Sequence, residues 1–205
     1  MKAAEKIFPS AIKFHQPQTL TEVLKLLQQI KGARILAGGT DILVDLKQGI
    51  IEVENLISLQ KIKNLRGIEK KSNSLRIGTM TTADEIISSN LLRQYFPTFQ
   101  EAALSMASYQ IRTMATIGGN IASAVPSADL PPPLIAAEAS VELKSLDSSR
   151  TVLLSDFFTG PRETVCLPEE VLTLIDIPLP SPGTGISFQK FSRREANALA
   201  VASVA

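Results

Sequence analysis

Apolar positions recur at helical spacing in the stretch QTLTEVLKLLQQI, where Leu20, Val23, Leu24, Leu27 and Ile30 form one stripe. Thr19 with Glu22 after it is the pattern of a capping box, which predicts that this helix starts at Thr19. RILAG predicts a short buried strand that stops at Gly38-Gly39. TDILVDLK predicts a helical turn or two, ended by Gly49. VENLISL reads as a strand, and LRGIEKKSNSLRIGTMT as two strands joined by a polar turn at 71–74.

Thr82 and Glu85 repeat the capping-box pattern ahead of IISS. Residues 91–108 read as a second long helix, its middle marked by Ala102, Ala103 and Met106. ATIGGNIASAVPSAD reads mostly as loop, and LPPPLIAAEA allows a short helix after the prolines. SVELKSLDSSRTVLLSDFF has hairpin character, with the turn at 147–149. EVLTLIDIPLP is a strand ended by prolines, GISFQKFSRR alternates as a strand does, and EANALAVASVA stays open between helix and strand.

Composition narrows the function classes. With 205 residues, 44% of them hydrophobic and 20% charged, the chain has enough apolar material for a real core. The formal charge of +1 comes with no long basic run, and aromatic residues are sparse at 5%, which argues against a nucleic-acid partner. Cys166 is the only cysteine, so an internal disulfide, an iron–sulfur site or a thiolate zinc site cannot be built from cysteine here. No run approaches the roughly 18 apolar residues of a membrane span, and the start lacks a secretory apolar core. A soluble cytoplasmic protein is the expectation.

Two passages carry the candidate chemistry: ARILAGGTDILVDLKQG and TMATIGGNIASAVPSADLP. Glycine reaches positive φ and lets a ligand approach its backbone closely, and successive N–H groups in such a turn form an anion-binding nest. Gly38 and Gly39 supply one such turn with the Thr40 hydroxyl. Gly118, Gly119 and Asn120 supply the other, Asn120 adding an amide that both donates and accepts. Two loops suit the two halves of a dinucleotide diphosphate, whereas a lone phosphate needs one. Neither passage is G-x-G-x-x-G or a P-loop, and each Gly-Gly reads equally as a tight turn. Asp41 would repel a diphosphate, so its side chain is expected to face away and cap an N–H.

Asp129 either accepts hydrogen bonds from a ribose hydroxyl or adenine amine, or caps the helix around Leu134. Ser123 either reaches a phosphate or polyol hydroxyl, or is a solvated loop serine. Lys190 either contacts the rim of a bound cofactor and neutralises charge there, or is a solvated lysine on a strand face. His15 has no partner cluster around it. Ser105, Ser108 and Ser149 lack a G-x-S-x-G context, so a hydrolytic triad is not indicated.

The passages ILAGGTDILVDLKQG, LRIGTMTTADEI, IRTMATIGGNIASAVPSADLPPPLIAAEA and EEVLTLIDIPLP, in this order, resemble the FAD-binding domain of the molybdenum hydroxylases. The opening IKFHQPQTLTEVLKLL is similar to the family start. The resemblance implies an α+β, vanillyl-alcohol-oxidase-type (PCMH-type) FAD-binding fold with two α/β subdomains. A small N-terminal subdomain would span 1–58, a larger α+β subdomain 59–178, and 179–205 would be the start of a C-terminal domain that is cut short. It implies that Ala37, Gly38, Gly39, Thr40, Asp41 and Ile42, with Thr116, Ile117, Gly118, Gly119 and Asn120, wrap the diphosphate and ribityl portions of FAD. Ser123 and Asp129, and less directly Leu172 and Lys190, would also contact the cofactor.

As implied function, the chain would be the electron-transfer subunit of a molybdenum hydroxylase, with no catalytic nucleophile and no metal ligand of its own. Its partners would be a molybdopterin-binding large subunit and a small subunit with two [2Fe–2S] clusters. The FAD would pass electrons to NAD+ or another acceptor. The relatives with an extra [4Fe–4S] cluster are excluded by the single cysteine. A stand-alone flavin oxidoreductase and a non-catalytic assembly module that kept the fold are the alternatives.

Overall fold

A computed structural model of the chain describes residues 12–194 and 198–205. The first sheet is parallel, with strands β1 (Lys13–His15), β2 (Arg34–Leu36) and β3 (Asn55–Ser58) in the order β1-β3-β2. Helix α1 (Leu20–Gln29) connects β1 to β2, and α2 (Ile42–Lys47) connects β2 to β3. The predicted cap of α1 is present: the Glu22 N–H donates to Thr19 Oγ1 at 3.2 Å. Glu22 Oε2 accepts from the N–H of Gln18 at 2.8 Å, one residue before the cap, so the box is offset from the standard one.

The second sheet has five strands: β4 (Ile68–Lys70), β5 (Ser74–Gly78), β6 (Ser140–Lys144), β7 (Ser149–Leu153) and β10 (Val171–Pro178), in the order β4-β5-β10-β6-β7. All neighbours are antiparallel. The turn between β6 and β7 is 145–148, closed by the Ser145 N–H on the Ser148 carbonyl at 2.9 Å, slightly earlier than expected. Between β5 and β6 run α3 (Ala83–Ser88), α4 (Asn90–Tyr95), α5 (Pro97–Ser105), α6 (Tyr109–Arg112), α7 (Ile117–Ala122) and α8 (Pro131–Ala136). A short α9 (Leu154–Phe157) and the hairpin β8 (Phe158–Gly160) and β9 (Glu163–Thr164) lead into β10. The hairpin β11 (Gln189–Ser192) and β12 (Ala200–Val204) follows.

Three expectations are corrected. The long helix at 91–108 is broken: α4 ends at Tyr95, Phe96 leaves helical geometry at φ −144° and ψ 63°, and Pro97 begins α5. Proline clashes with a helical conformation at the residue before it, yet suits the first position of a new helix. The passage read as loop around Gly118 is the helix α7, capped by Thr116. The prolines of LPPP lie inside α8, which starts at Pro131, rather than before it. In EANALAVASVA, residues 200–204 are strand, and residues 195–197 lie outside the described residues.

The main core lies between the second sheet and its helices. Leu75, Ile77, Val141, Leu143, Ile175 and Ile177 from the sheet meet Ile86, Leu92, Phe99, Ala102, Ile117 and Leu134 from the helices, all nearly inaccessible. A second core joins the two sheets: Val23, Leu24 and Leu27 of α1 and Ile57 of β3 pack with Met80 and Val171. The first sheet therefore has a fixed place beside the second. That places the end of β2, where the first glycine pair lies, beside the start of α7.

Candidate functional site

The first glycine segment leaves β2 after Leu36, whose carbonyl accepts from the Leu59 N–H at 2.9 Å. Gly39 has φ +78°, a conformation that L side chains rarely adopt, so glycine is the residue that makes this turn. Among the described residues, no oxygen accepts a hydrogen bond from the N–H of Gly38, Gly39, Thr40, Asp41 or Ile42. Five successive donors therefore remain open at a half-exposed turn. Asp41 is exposed and forms no side-chain cap on α2, so the expected capping role is absent. Its carbonyl instead accepts from Val44 and Asp45 at 3.0 and 2.9 Å.

The second glycine segment is built differently. The Ile117 N–H donates to the Thr81 carbonyl and the Gly118 N–H to the Thr79 carbonyl, both at 2.9 Å. The Gly119 N–H donates to Thr116 Oγ1 at 3.1 Å. The expectation of two matching donor nests is thus corrected: the donors of this segment are spent on the protein, because α7 must fix its own first turn against the strand end at Thr79. Its glycines serve close packing. A Cβ on Gly118 would come within 2.7 Å of the Thr79 carbonyl, and one on Gly119 within 2.9 Å of Thr116 Oγ1. Among the described residues, nothing pairs with the buried Oδ1 of Asn120. Ser123, half-buried at the end of α7, donates to the Asn120 carbonyl at 3.2 Å.

The two segments meet. A Cβ on Gly38 would overlap the Met114 carbonyl and lie 3.2 Å from Ala115 Cα, and one on Gly119 would lie 3.7 Å from Ala37 Cβ. Leu172 joins the second segment through one intermediary: Thr79 Oγ1 donates to the Leu172 carbonyl at 2.9 Å, while the Thr79 carbonyl holds Gly118. The Leu172 side chain itself is buried in the main core.

Asp129 and Lys190 form a separate centre. Lys190 Nζ donates to Asp129 Oδ2 at 2.9 Å and to the Ser105 carbonyl at 3.0 Å, with both side chains only 8% exposed. The reading of Lys190 as a solvated strand-face lysine is overturned. So is the reading of Asp129 as a cap, because the residue before α8 is Leu130 and no side chain caps that helix. Burial raises the Asp129 carboxyl above its usual range, against the opposing hydrogen bond and charge of Lys190. Asp129 Oδ1 is buried and has no partner among the described residues, an acceptor available to a ligand hydroxyl or amine.

Sequence reasoning missed three supports of this region. Thr79 holds both Gly118 and Leu172. Arg112 clamps the end of α5, donating through Nη1 to the Met106 carbonyl at 2.8 Å and more weakly to those of Leu104 and Ala107. Arg162 bridges α2 and the end of α7, with Nη1 on Asp45 Oδ2 at 2.7 Å and its N–H on the Ala124 carbonyl at 2.8 Å. The Arg162 contacts join residues 38 and 117 positions apart and leave no local signal.

The arrangement can bind an anion on open backbone donors and hold hydroxyl or amine groups on two buried acceptors. It does not supply a nucleophile and base: His15 Nε2 pairs with Asn55 Oδ1 at 3.0 Å, and burial pushes the Cys166 thiol up to about 11. Among the described residues no group of His, Cys, Asp and Glu could hold a metal ion, and no helix is long and apolar enough to cross a membrane.

Comparison with known proteins agrees with this chemistry. The family model described as "FAD binding domain in molybdopterin dehydrogenase" matches residues 10–180. The chain is 34% identical over 189 residues to the carbon monoxide dehydrogenase medium chain of Afipia carboxidovorans, covering 92% of this chain and 66% of that protein. It is 33% identical over 185 residues to the xanthine dehydrogenase FAD-binding subunit of Escherichia coli O157:H7, covering 89% of this chain and 63% of that one. The solved carbon monoxide dehydrogenase from Hydrogenophaga pseudoflava superposes with a TM-score of 0.92 at 34% identity, over 96% of this chain and 68% of that chain. The chain thus spans about two thirds of the length of the relatives it matches.

Proposed function

The chain belongs to the family of FAD-binding domains of molybdopterin dehydrogenases, and on that premise we propose that it binds one FAD across the two glycine segments and serves as the flavin subunit of a molybdenum hydroxylase. The observation that carries the proposal is the packing of Gly38 on the Met114 carbonyl, which brings the open donors after β2 beside α7.

The residues present fit the cofactor. The N–H groups of Gly38, Gly39, Thr40, Asp41 and Ile42 suit a diphosphate. Ala37, Thr116, Ile117, Gly118 and Gly119 form a close-packed wall that fixes the open turn against α7. The orphaned Oδ1 atoms of Asn120 and Asp129 suit ribityl or ribose hydroxyls and the adenine amine. Ser123 orients the segment carrying Asn120, Leu172 anchors Thr79, and Lys190 pairs with Asp129 through Oδ2 while leaving Oδ1 free. When bound, FAD supplies reversible two-electron chemistry that joins a one-electron donor to an acceptor such as NAD+. The protein's part is to bind, orient and shield it, which needs no nucleophile.

By its likeness to medium subunits, the chain would work with a molybdopterin-binding large subunit and a small subunit carrying [2Fe–2S] clusters, in the cytoplasm. In this reading the first sheet is the small FAD-binding subdomain and the second sheet the larger one. Reconstitution tests the proposal: the purified chain mixed with FAD and desalted should be yellow and release FAD in about a one-to-one ratio. Colourless protein with native secondary structure would overturn it.

A further inference from the structure

We propose that Arg162 is a positioning residue for the cofactor cleft, holding the first glycine segment at a fixed angle to the second. The inference rests on the reading of that cleft as the FAD site. The near ends of α2 and α7 meet through Gly38 and the Met114–Ala115 backbone. Contact at one end leaves two short helices free to pivot. Arg162 supplies the second point. Its guanidinium takes Asp45, a buried residue in the middle of α2, and its N–H takes the carbonyl of Ala124, two residues beyond α7.

The conformations at this junction point the same way. Arg162 has φ +62° and Ala124 has φ +46°, so two non-glycine residues in the left-handed region face each other across one hydrogen bond. Such conformations persist where the surroundings over-determine them, and they collect at sites that depend on fixed geometry. Asp45 has 11% of its side chain exposed and Arg162 has 53%, so the carboxylate cannot exchange its partner for water as readily as the arginine can. Losing Arg162 leaves a buried charge in the helix that follows the open donors, and α2 must shift to hydrate it.

The test measures FAD affinity, hydrogen exchange of the FAD-free chain, and the urea midpoint, each on the full chain. Arg162→Met and Asp45→Asn should each weaken FAD binding about tenfold. Together they should weaken it little more than either alone, because both remove one interaction. Exchange should quicken in α2 and residues 38–42 while β10 stays protected. Arg162→Lys should recover most of the affinity. Arg76→Met, which removes an ion pair with Asp176 at 2.7 Å across β5 and β10 that joins neither α2 nor α7, should leave FAD affinity unchanged. Unchanged affinity in a folded Arg162→Met chain, or exchange that quickens evenly across the molecule, would overturn the proposal. Wild-type protein that binds no FAD would overturn the functional reading instead, and the exchange pattern would still decide whether the latch exists.

Discussion

Gly38 rests directly against the main-chain carbonyl of Met114, with no room for a Cβ between them. The close approach fixes how near the two glycine segments lie, and it is a backbone-to-backbone contact that no rotamer change can relieve.

Gly38→Ala should therefore cost about 2–3 kcal/mol of stability and weaken FAD binding, since the added methyl must separate the two segments. Gly183→Ala is the control: Gly183 has φ +86° but nothing within 4 Å of the added atom, so only the conformational cost of about 1 kcal/mol applies. Urea denaturation of both variants, with FAD titration, separates the two effects.

Gly119→Val should abolish FAD retention while leaving most secondary structure. The branched side chain meets Thr116 Oγ1 first and the wall formed by Ala37 next. Circular dichroism alongside flavin absorbance checks it. Retained FAD in a folded variant would remove this segment from the site.

Lys190→Met should destabilise the chain by about 3–5 kcal/mol, because Asp129 is left buried without its counter-ion. Asp129→Asn made together with Lys190→Met should be less damaging than Lys190→Met alone. A double-mutant cycle by urea unfolding measures the difference.

Glu170 predicts a loss of stability in acid. Arg150 holds it with two hydrogen bonds of 2.7 and 2.8 Å, and the Leu167 N–H adds a third at 2.8 Å. The hydrogen bond from Arg150 is the main cause that keeps the carboxyl below its usual value of 4.5, burial opposing it. A lowered carboxyl contributes stability above its unfolded value and loses it as pH falls through the folded one. Glu170→Gln should be less stable than wild type at pH 7 by about 1–3 kcal/mol, and the gap should close below pH 4.5. Asp129, raised rather than lowered, has the opposite sign: its contribution fades as pH rises through its folded value.

Cys166 should resist alkylation in the folded chain at pH 8. Burial, with the nearby Glu170 charge, pushes its thiol up to about 11, and thiolate is the reactive form. Iodoacetamide labelling should be slow until urea unfolds the protein.

What the sequence disclosed was what local physics decides. Thr82 and Glu85 form the full box that their spacing predicts, with the Glu85 N–H on Thr82 Oγ1 at 3.3 Å and the Thr82 N–H on Glu85 Oε2 at 2.8 Å. The stripe of α1 and the hairpin of β6 and β7 were legible for the same reason. The glycine pairs marked two segments that the fold brings together, but not their asymmetry. Whether the Gly118 N–H is open or spent depends on Thr79, which a different strand end brings in. Two glycines and an asparagine also argue locally against the helix that Thr116 caps and the main core holds. Lys190 and Asp129 lie 61 residues apart, and nothing in either neighbourhood announces the other.

The strand at the middle of the larger sheet is also the last of its five to be synthesised. Arg76 and Asp176, joined across β5 and β10, are 100 residues apart. Until Val171–Pro178 leaves the ribosome, β5 and β6 each present an unpaired edge to other nascent chains. Closure of that sheet is a late event of high contact order, so premature termination upstream of β10 yields a product with two open templates for aggregation rather than a smaller working protein.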